Sequence, residues 1–173
     1  MIEKFGICLE PLTLESAMLV RAWRNSPKVN RFMDFKAYIT LGQQERWFEA
    51  IVTSTNVYFI IRKGSTPIGL IHLNRFDTDK KTAYAGLFIG DEEFEGTGIA
   101  FKASVALLEY AFEELKLDKV FAKVHKDNAV AIDYNKNLGF EYDGAESGPF
   151  QRLKIDSTSF IAKRSYLLNL LTL

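Results

Sequence analysis

The residues whose types and spacing best suit chemistry lie between Thr82 and Phe140. An apolar run, Thr82 to Gly90, and a short acidic turn, Asp91 to Glu95, lead into Gly96-Thr97-Gly98-Ile99-Ala100. A long amphipathic segment then continues to Leu115. This is the pattern of a strand, a glycine-rich turn and a helix whose first backbone N–H groups lack partners. Such a helix start attracts anions, through its orphan donors and through its dipole. The implied ligand carries phosphate. A dinucleotide fingerprint is excluded, because its third glycine is missing and no acidic residue ends a following parallel strand at the expected distance. A Walker sequence is excluded too, since no Gly-Lys-Ser/Thr follows. Taken alone, the glycine pair is equally a tight turn with a helix cap.

Other side chains offer less specific chemistry. His72 and His125 are the two histidines; an imidazole titrating near 6.5 can accept a proton at neutral pH, although a lone histidine is more often structural. Cys8 is the single cysteine, which leaves no internal disulfide and no cysteine metal cluster, and no metal is expected. It reads as a small buried hydrophobe, with no activating neighbour. Trp23-Arg24-Asn25 closes a helix and reads either as a core aromatic beside a solvated cation or as one wall of an acceptor site. Residues 28 to 39 have no clean period but carry Val29, Phe32, Met33, Phe35, Tyr38 and Ile39, a composition that covers a pocket or forms an interface.

The elements that must position these groups follow from period and punctuation. Phe5 to Leu9 alternates and predicts a first strand, closed by Glu10-Pro11. Thr13 caps a helix through Leu14, Ala17, Met18 and Trp23, which Asn25-Ser26-Pro27 stops. Thr40-x-x-Gln43 is a capping box that starts a second helix through Trp47, Phe48, Ile51 and Val52. Val57 to Arg62 and Ile68 to Phe76 are strands of a hairpin, and the Thr82 strand completes a three-strand antiparallel meander. In the second strand Leu70, His72 and Asn74 share one face, Ile71 and Leu73 the other. After Gly98 the helix buries Ile99, Ala103, Ala106, Leu107, Tyr110 and Ala111. Val120 to Val124 then returns as a parallel strand through a right-handed crossover. A short helix from Ala129 to Asn137 ends at Gly139 as its C-cap. Phe140 to Asp143 starts another strand, Gly144 to Gly148 is loop, and Arg152 to Ile155 and Phe160 to Leu168 are read as final strands. The apolar run Tyr166 to Leu171 is a buried strand or part of a homodimer contact.

At 173 residues the chain predicts one domain, 1–173, with a real core. Lys plus Arg and Asp plus Glu number 22 each, so the net charge is zero, which argues against nucleic acid as a partner. No apolar run reaches the length of a membrane span, and the chain opens without a secretory signal; a cytoplasmic setting is expected.

The order of elements, the turn Phe94 to Ala100, and Asn128-x-x-Ala131-x-x-Tyr134-x-x-x-Leu138-Gly139-Phe140 together resemble the GNAT acetyltransferases over nearly the whole chain. The resemblance implies an α/β (α+β) fold: a mixed, mostly antiparallel central sheet with helices on both faces. It implies acetyl-coenzyme A as co-substrate, with its pyrophosphate on Gly96, Thr97, Gly98, Ile99 and Ala100. The pantetheine arm would pair with Leu87, Phe88 and Ile89, and Asn128 would hold its other side. Tyr134 would protonate the departing thiolate, a phenol near 10 meeting a thiol near 8.5. The backbone N–H near Phe88 or Ile89 would bind the thioester oxygen. Many relatives have a Glu on the strand that here reads Ala83-Tyr84-Ala85-Gly86, so the base falls to His72, His125 or water relayed by Tyr84. Glu95 stands where the family usually carries Gln or Arg, and Lys102, one turn on, is the cation expected to offset it.

Within the family, Trp23-Arg24-Asn25-Ser26-Pro27 with Val29, Met33, Ile39-Thr40 and Trp47-Phe48 resembles two branches. One acetylates a nucleotide-linked 4-amino-4,6-dideoxy sugar on the pseudaminic acid route; the other acetylates ribosomal-protein N-termini. A sugar nucleotide needs an aromatic wall and cations, which Trp23, Arg24, Phe32, Met33, Tyr84 and Arg75 would supply; an N-terminal peptide needs an open groove. The greasy stretch 28–39 favours the small-molecule amine. Two further readings lie outside this reaction: a GNAT module that binds coenzyme A or a partner without catalysis, motivated by Glu95 and the missing strand carboxylate, and a plain α/β binding domain whose glycine turn is only a cap.

Overall fold

The structure, a computed structural model, describes residues 1–171. Among the described residues eight strands form one sheet, with spatial order 1-2-3-4-5-6-8-7 when numbered along the chain. The chain opens with a hairpin of β1 (Ile2–Lys4) and β2 (Ile7–Pro11). Phe5 and Gly6 between them both have positive φ, 55° and 71°, the two-residue turn that matches strand twist. The expected first strand over Phe5 to Leu9 is thus corrected: its start is a turn, and a strand precedes it.

Helix α1 (Leu14–Asn25) is capped by a Thr13–Ser16 box, and α3 (Leu41–Val52) by the expected Thr40–Gln43 box. Between them lies α2 (Pro27–Asn30), with Pro at its first turn. The meander of β3 (Val57–Lys63), β4 (Thr66–Asp77) and β5 (Thr82–Ile89) is antiparallel throughout. Helix α4 (Ile99–Glu109) follows the glycine turn and ends in a π turn over Tyr110–Glu114. It carries the chain to β6 (Lys119–His125), which pairs parallel with β5. After α5 (Ala129–Leu138), stopped by Gly139 at φ 105°, come β7 (Glu141–Ser147) and β8 (Phe150–Asp156). Gly144 lies inside β7, so the expected loop shrinks to Gly148-Pro149.

The last element is a second correction. Ser157–Leu170 is helix α6, capped by the Asp156 carboxylate on Ser159 N–H, not a strand. Phe160 and Leu167 are fully buried and Ile161 and Tyr166 are exposed. Seven residues span two helical turns, so Phe160 and Leu167 share a face.

Alternation along the strands divides two cores. Phe59, Ile61, Ile71, Leu73, Ala83, Val120 and Leu153 pack with α4 and with Phe160 and Leu167 of α6. On the opposite face Ile60 and Leu70 pack with Val20 of α1, joined by Trp23, Tyr58 and Phe88. Helices therefore cover both faces of a mostly antiparallel sheet. Helix α4 buries even Glu109, whose carboxylate meets Lys4 at 2.6 Å and Arg164 at 2.7 Å. That arrangement clamps the first strand and last helix onto the central one. Cys8 is half-buried on β2, and burial with Glu3 and Glu10 raises its thiol pKa, the environment of an inert cysteine.

Candidate active site

Parallel strands β5 and β6 pair only from Thr82–Ala85 to Lys119–Ala122. Beyond that point β5 stays with β4 as far as Ile89, and β6 stays with β8 as far as His125. Two neighbours therefore part while each remains in the sheet. The opening is a wedge whose facing backbone groups, on Gly86–Ile89 and Lys123–His125, have no ladder partner across it. An extended amide-bearing chain can pair there. Leu87 and Ile89 turn to the α4 side and Phe88 to the α1 side.

The glycine turn stands at the end of the same strand. Gly96 and Gly98 have φ of 71° and 77°, left-handed values that glycine adopts without strain. A Cβ on either would meet no atom within 4 Å, so both are required by backbone conformation and leave open space beside them. Gly98 caps α4 with no side-chain hydrogen bond. The Thr97 hydroxyl is engaged elsewhere, on the Phe94 carbonyl at 2.6 Å. The first amides of α4, on Ile99 and Ala100, thus face an uncapped terminus suited to phosphate. Wedge and turn together fit a phosphate-bearing, amide-containing co-substrate.

Glu95 is neutralised from an unexpected direction. Lys28 of α2 lies 2.8 Å from Glu95 and 3.6 Å from Glu92. Among the described residues no ion pair joins Lys102 to Glu95, so the expected compensation by Lys102 is replaced by one from the opposite half of the chain.

Asn128 follows the end of β6, its N–H bonded to the His125 carbonyl at 2.9 Å. Its Oδ1 accepts from Ala131 N–H at 3.1 Å and caps α5. That cap aims α5 so that Tyr134 reaches α4. The Tyr134 Oη donates to the Ala100 carbonyl at 2.8 Å and lies 2.7 Å from Ser104 Oγ. Burial pushes the phenol pKa well above its ordinary value, and the Ser104 hydrogen bond pulls it partly back. The expectation of an unperturbed phenol is corrected accordingly.

On the α1 side, cross-strand rows bring the acceptor candidates together. Tyr58, His72 and Gly86 form one row across β3, β4 and β5; Asn74, Tyr84 and Phe121 form the next. His72 stacks on Tyr58 with centroids 4.9 Å apart and 22° between planes. An added Cβ on Gly86 would come within 2.5 Å of His72 Cε1. Gly86 therefore makes room for the imidazole. Gly90 does the same for the Trp23 indole, which a Cβ there would overlap, and Trp23 meets Phe88 edge-on at 6.2 Å. Tyr84 Oη accepts from Arg152 Nη1 at 3.2 Å, and Arg152 is held by Asp143 at 2.7 Å. Arg75, at φ 51° beside the bulge in β4, lies over the Tyr84 ring at 5.6 Å.

His72 is not arranged as a strong base. Burial, then the charges of Arg24 and Arg75, lower the His72 pKa to about 4, so it is neutral at pH 7 and accepts a proton reluctantly. His125 sits apart, on β6 beyond the parting of the strands, between Phe150 at 5.3 Å and Phe32 at 5.9 Å. Its Nδ1 accepts from Asp127 N–H at 3.2 Å.

The segment after α1 is a hooked strap. Asn25 pairs with the backbone of Ile39 twice, at 2.9 and 2.8 Å, closing the loop between them. Phe32 on His125, and Asp34 on Lys123 at 2.5 Å, pin the strap to β6; Trp23 pins its root to the end of β5. The strap thus bridges the two sides of the wedge. Met33 lies half-buried on it. Tyr58, Ser104, Lys28 and Arg152 belong to no functional motif in the sequence. Tyr58 alone had a signal there, in the alternation of Val57 to Arg62; the others are brought in by distant elements.

Among the described residues, two buried polar side-chain atoms have no hydrogen-bond partner: Arg24 Nε and His72 Nδ1. Both belong to this face, and Arg24 and Arg75 have no carboxylate partner among the described residues. No cluster of three or more His, Cys, Asp or Glu suited to a metal occurs among them. No helix among them is long and apolar enough to cross a membrane.

The GNAT acetyltransferase domain model matches residues 7–141. Acetyltransferase PseH of Campylobacter jejuni is 31% identical over 134 residues, covering 76% of this chain and 82% of that protein. Spermidine N(1)-acetyltransferase of Escherichia coli K12 is 26% identical over 142 residues, covering 80% and 75%. The crystal structure of spermidine N-acetyltransferase from Vibrio cholerae, in complex with CoA and spermine, superposes with a TM-score of 0.82 at 18% identity, over 90% of this chain and 98% of that one.

Proposed function

We propose a particular acceptor for this chain, which belongs to the GNAT acetyltransferase family and moves acetyl groups from acetyl-coenzyme A to amines: the amine of an anionic small molecule, a nucleotide-linked 4-amino-4,6-dideoxy sugar. The observation that carries this reading is the uncompensated cation on the acceptor face. Arg24 has a buried Nε with no partner and no carboxylate to balance it. An arginine left this way is costly unless a ligand supplies the charge. A diphosphate does so, with Arg75 at the edge of the same face, while Trp23, Tyr58 and Tyr84 supply flat surfaces for a base or sugar. A polyamine would instead meet like charge.

The weak basicity of His72 favours an amine of low pKa over an alkylamine. With His72 near 4, the site favours an amine of low basicity, more of which is neutral at pH 7. Amines of α-amino type titrate near 8, an alkylamine such as Lys near 10.4. A sugar amine falls on the favourable side.

Acetyl-coenzyme A supplies the thioester when bound. Gly96–Ala100 hold its phosphates by backbone N–H groups and Gly86–Ile89 align the pantetheine arm. The backbone N–H of Ile89, which faces away from β4 because that of its neighbour Gly90 bonds the Ile68 carbonyl there, stabilises charge on the thioester oxygen. Trp23 and the strap hold the acceptor against the α1 side of β5, Tyr84 relays the amine's proton to water, and Tyr134 gives a proton to the leaving sulfur.

Thiol-release assays across three acceptors test the reading: the sugar nucleotide, spermidine and N-terminal peptides. The expected result is a kcat/KM at least about tenfold higher for the sugar nucleotide, diminishing with added salt. Turnover of peptides or spermidine alone overturns it. Coenzyme A binding without turnover of any amine would instead favour a non-catalytic module.

A further inference from the structure

Ser104 is buried on α4 in a stretch of small neighbours, Ala103 and Ala106. At such a position a serine adds one hydroxyl to what alanine would fill. In a regular helix that hydroxyl commonly bonds back to the carbonyl four residues earlier, here Ala100. That carbonyl is already taken by Tyr134 Oη–H at 2.8 Å. A phenol has one proton, and Tyr134 spends it on Ala100. The 2.7 Å contact between Ser104 Oγ and Tyr134 Oη therefore has serine as its donor.

We infer that Ser104 is a positioning residue for Tyr134, holding the phenol oxygen in place and donating to it while its proton is transferred. The inference rests on Tyr134 as the acid of the proposed reaction. The Tyr134 O–H turns about its C–O bond, away from Ala100, and gives its proton to the sulfur as the C–S bond breaks. The phenolate left behind keeps the Ser104 donor and recovers a proton, by way of solvent, from the one released by the amine. Ser104 thus stabilises a charge that exists only after transfer has begun. Burial raises the Tyr134 pKa and the Ser104 hydroxyl opposes that rise, in keeping with this direction.

A double-mutant cycle separates this role from packing. Tyr134→Phe should lower kcat by about 100-fold or more, the usual contribution of a general acid. Ser104→Ala in the native background should lower kcat about five- to tenfold with the KM for acetyl-coenzyme A unchanged, the scale of one lost hydrogen bond. In the Tyr134→Phe background Ser104→Ala should change kcat less than about twofold. An equal loss in both backgrounds, or no loss in the native one, overturns the inference. If Tyr134→Phe keeps native kcat, the acid reading itself fails and this inference falls with it. Thermal melts of all four proteins confirm that folded enzyme is compared.

Discussion

The imidazole of His72 lies nearly parallel to the phenol ring of Tyr58, 4.9 Å away, in a row that continues to the bare backbone of Gly86. This row is the floor of the proposed acceptor site. It exists because β3, β4 and β5 place a tyrosine, a histidine and a glycine in register, with no room for a larger residue at the third position.

Gly86→Ala should therefore damage acceptor binding before it damages the cofactor half. A Cβ at 2.5 Å from His72 Cε1 and 2.7 Å from Nε2 forces the ring off Tyr58. Overpacking of this kind costs about 1–3 kcal/mol. The expected outcome is a lowered melting temperature and an acceptor KM raised about tenfold, with acetyl-coenzyme A affinity retained; steady-state kinetics and calorimetry check it.

His72 also gives stability a pH dependence of known sign. Its folded pKa of about 4 lies below the ordinary 6.5, so the unfolded chain binds the extra proton between those values. The native state's advantage is full above pH 6.5 and is lost as pH falls towards 4, by up to about 3 kcal/mol. Urea melts of native protein and His72→Asn at pH 7.5 and 4.5 should differ in slope against pH. Identical slopes would exclude His72 as the source.

Arg24→Met should separate binding from stability. Removing a buried guanidinium whose Nε has no partner leaves folding unharmed or improved, because the charge is uncompensated in the free protein. Its loss should raise the KM for an anionic acceptor about tenfold or more while leaving acetyl-coenzyme A binding unchanged. A melting temperature lowered by several degrees would contradict this account of Arg24.

Lys28 and Glu95 link the strap to the glycine turn, and the effect of changing either is measurable by titration calorimetry. Glu95→Gln should tighten acetyl-coenzyme A binding about two- to fivefold at low salt, as a carboxylate beside the phosphates is removed. Lys28→Ala should weaken it by a similar factor, since it frees Glu95 to repel them. Affinities that ignore both substitutions at low ionic strength would show that the pair is remote from the bound phosphates.

Local chemistry was legible in the chain itself. Thr13 and Thr40 start helices because their hydroxyls satisfy backbone donors three residues on, and Gly98 and Gly139 take left-handed values at helix ends. Alternation put His72 and Asn74 on one face of β4. Two ends of the chain misled. Strand β1 has only three residues, too few to show a period, and the alternation of Phe5 to Leu9 ran through the turn at Phe5-Gly6. Helix α6 has only Phe160 and Leu167 fully buried, so its period was masked by exposed Ile161 and Tyr166, and the Asp156 cap was the signal available.

The glycine turn, the Asn128–Tyr134 helix and the aromatic stock of the α1 face could be read from the chain, since each depends on neighbours within a few residues. The tertiary structure alone decided where β5 and β6 part, because a ladder ends when its flanking strands pull each member away. It also decided that Lys28 answers Glu95 across 67 residues of chain, that Ser104 meets Tyr134, and that His72 is too enclosed and too close to arginine to be a good base. These are effects of distance and burial, which no local pattern encodes.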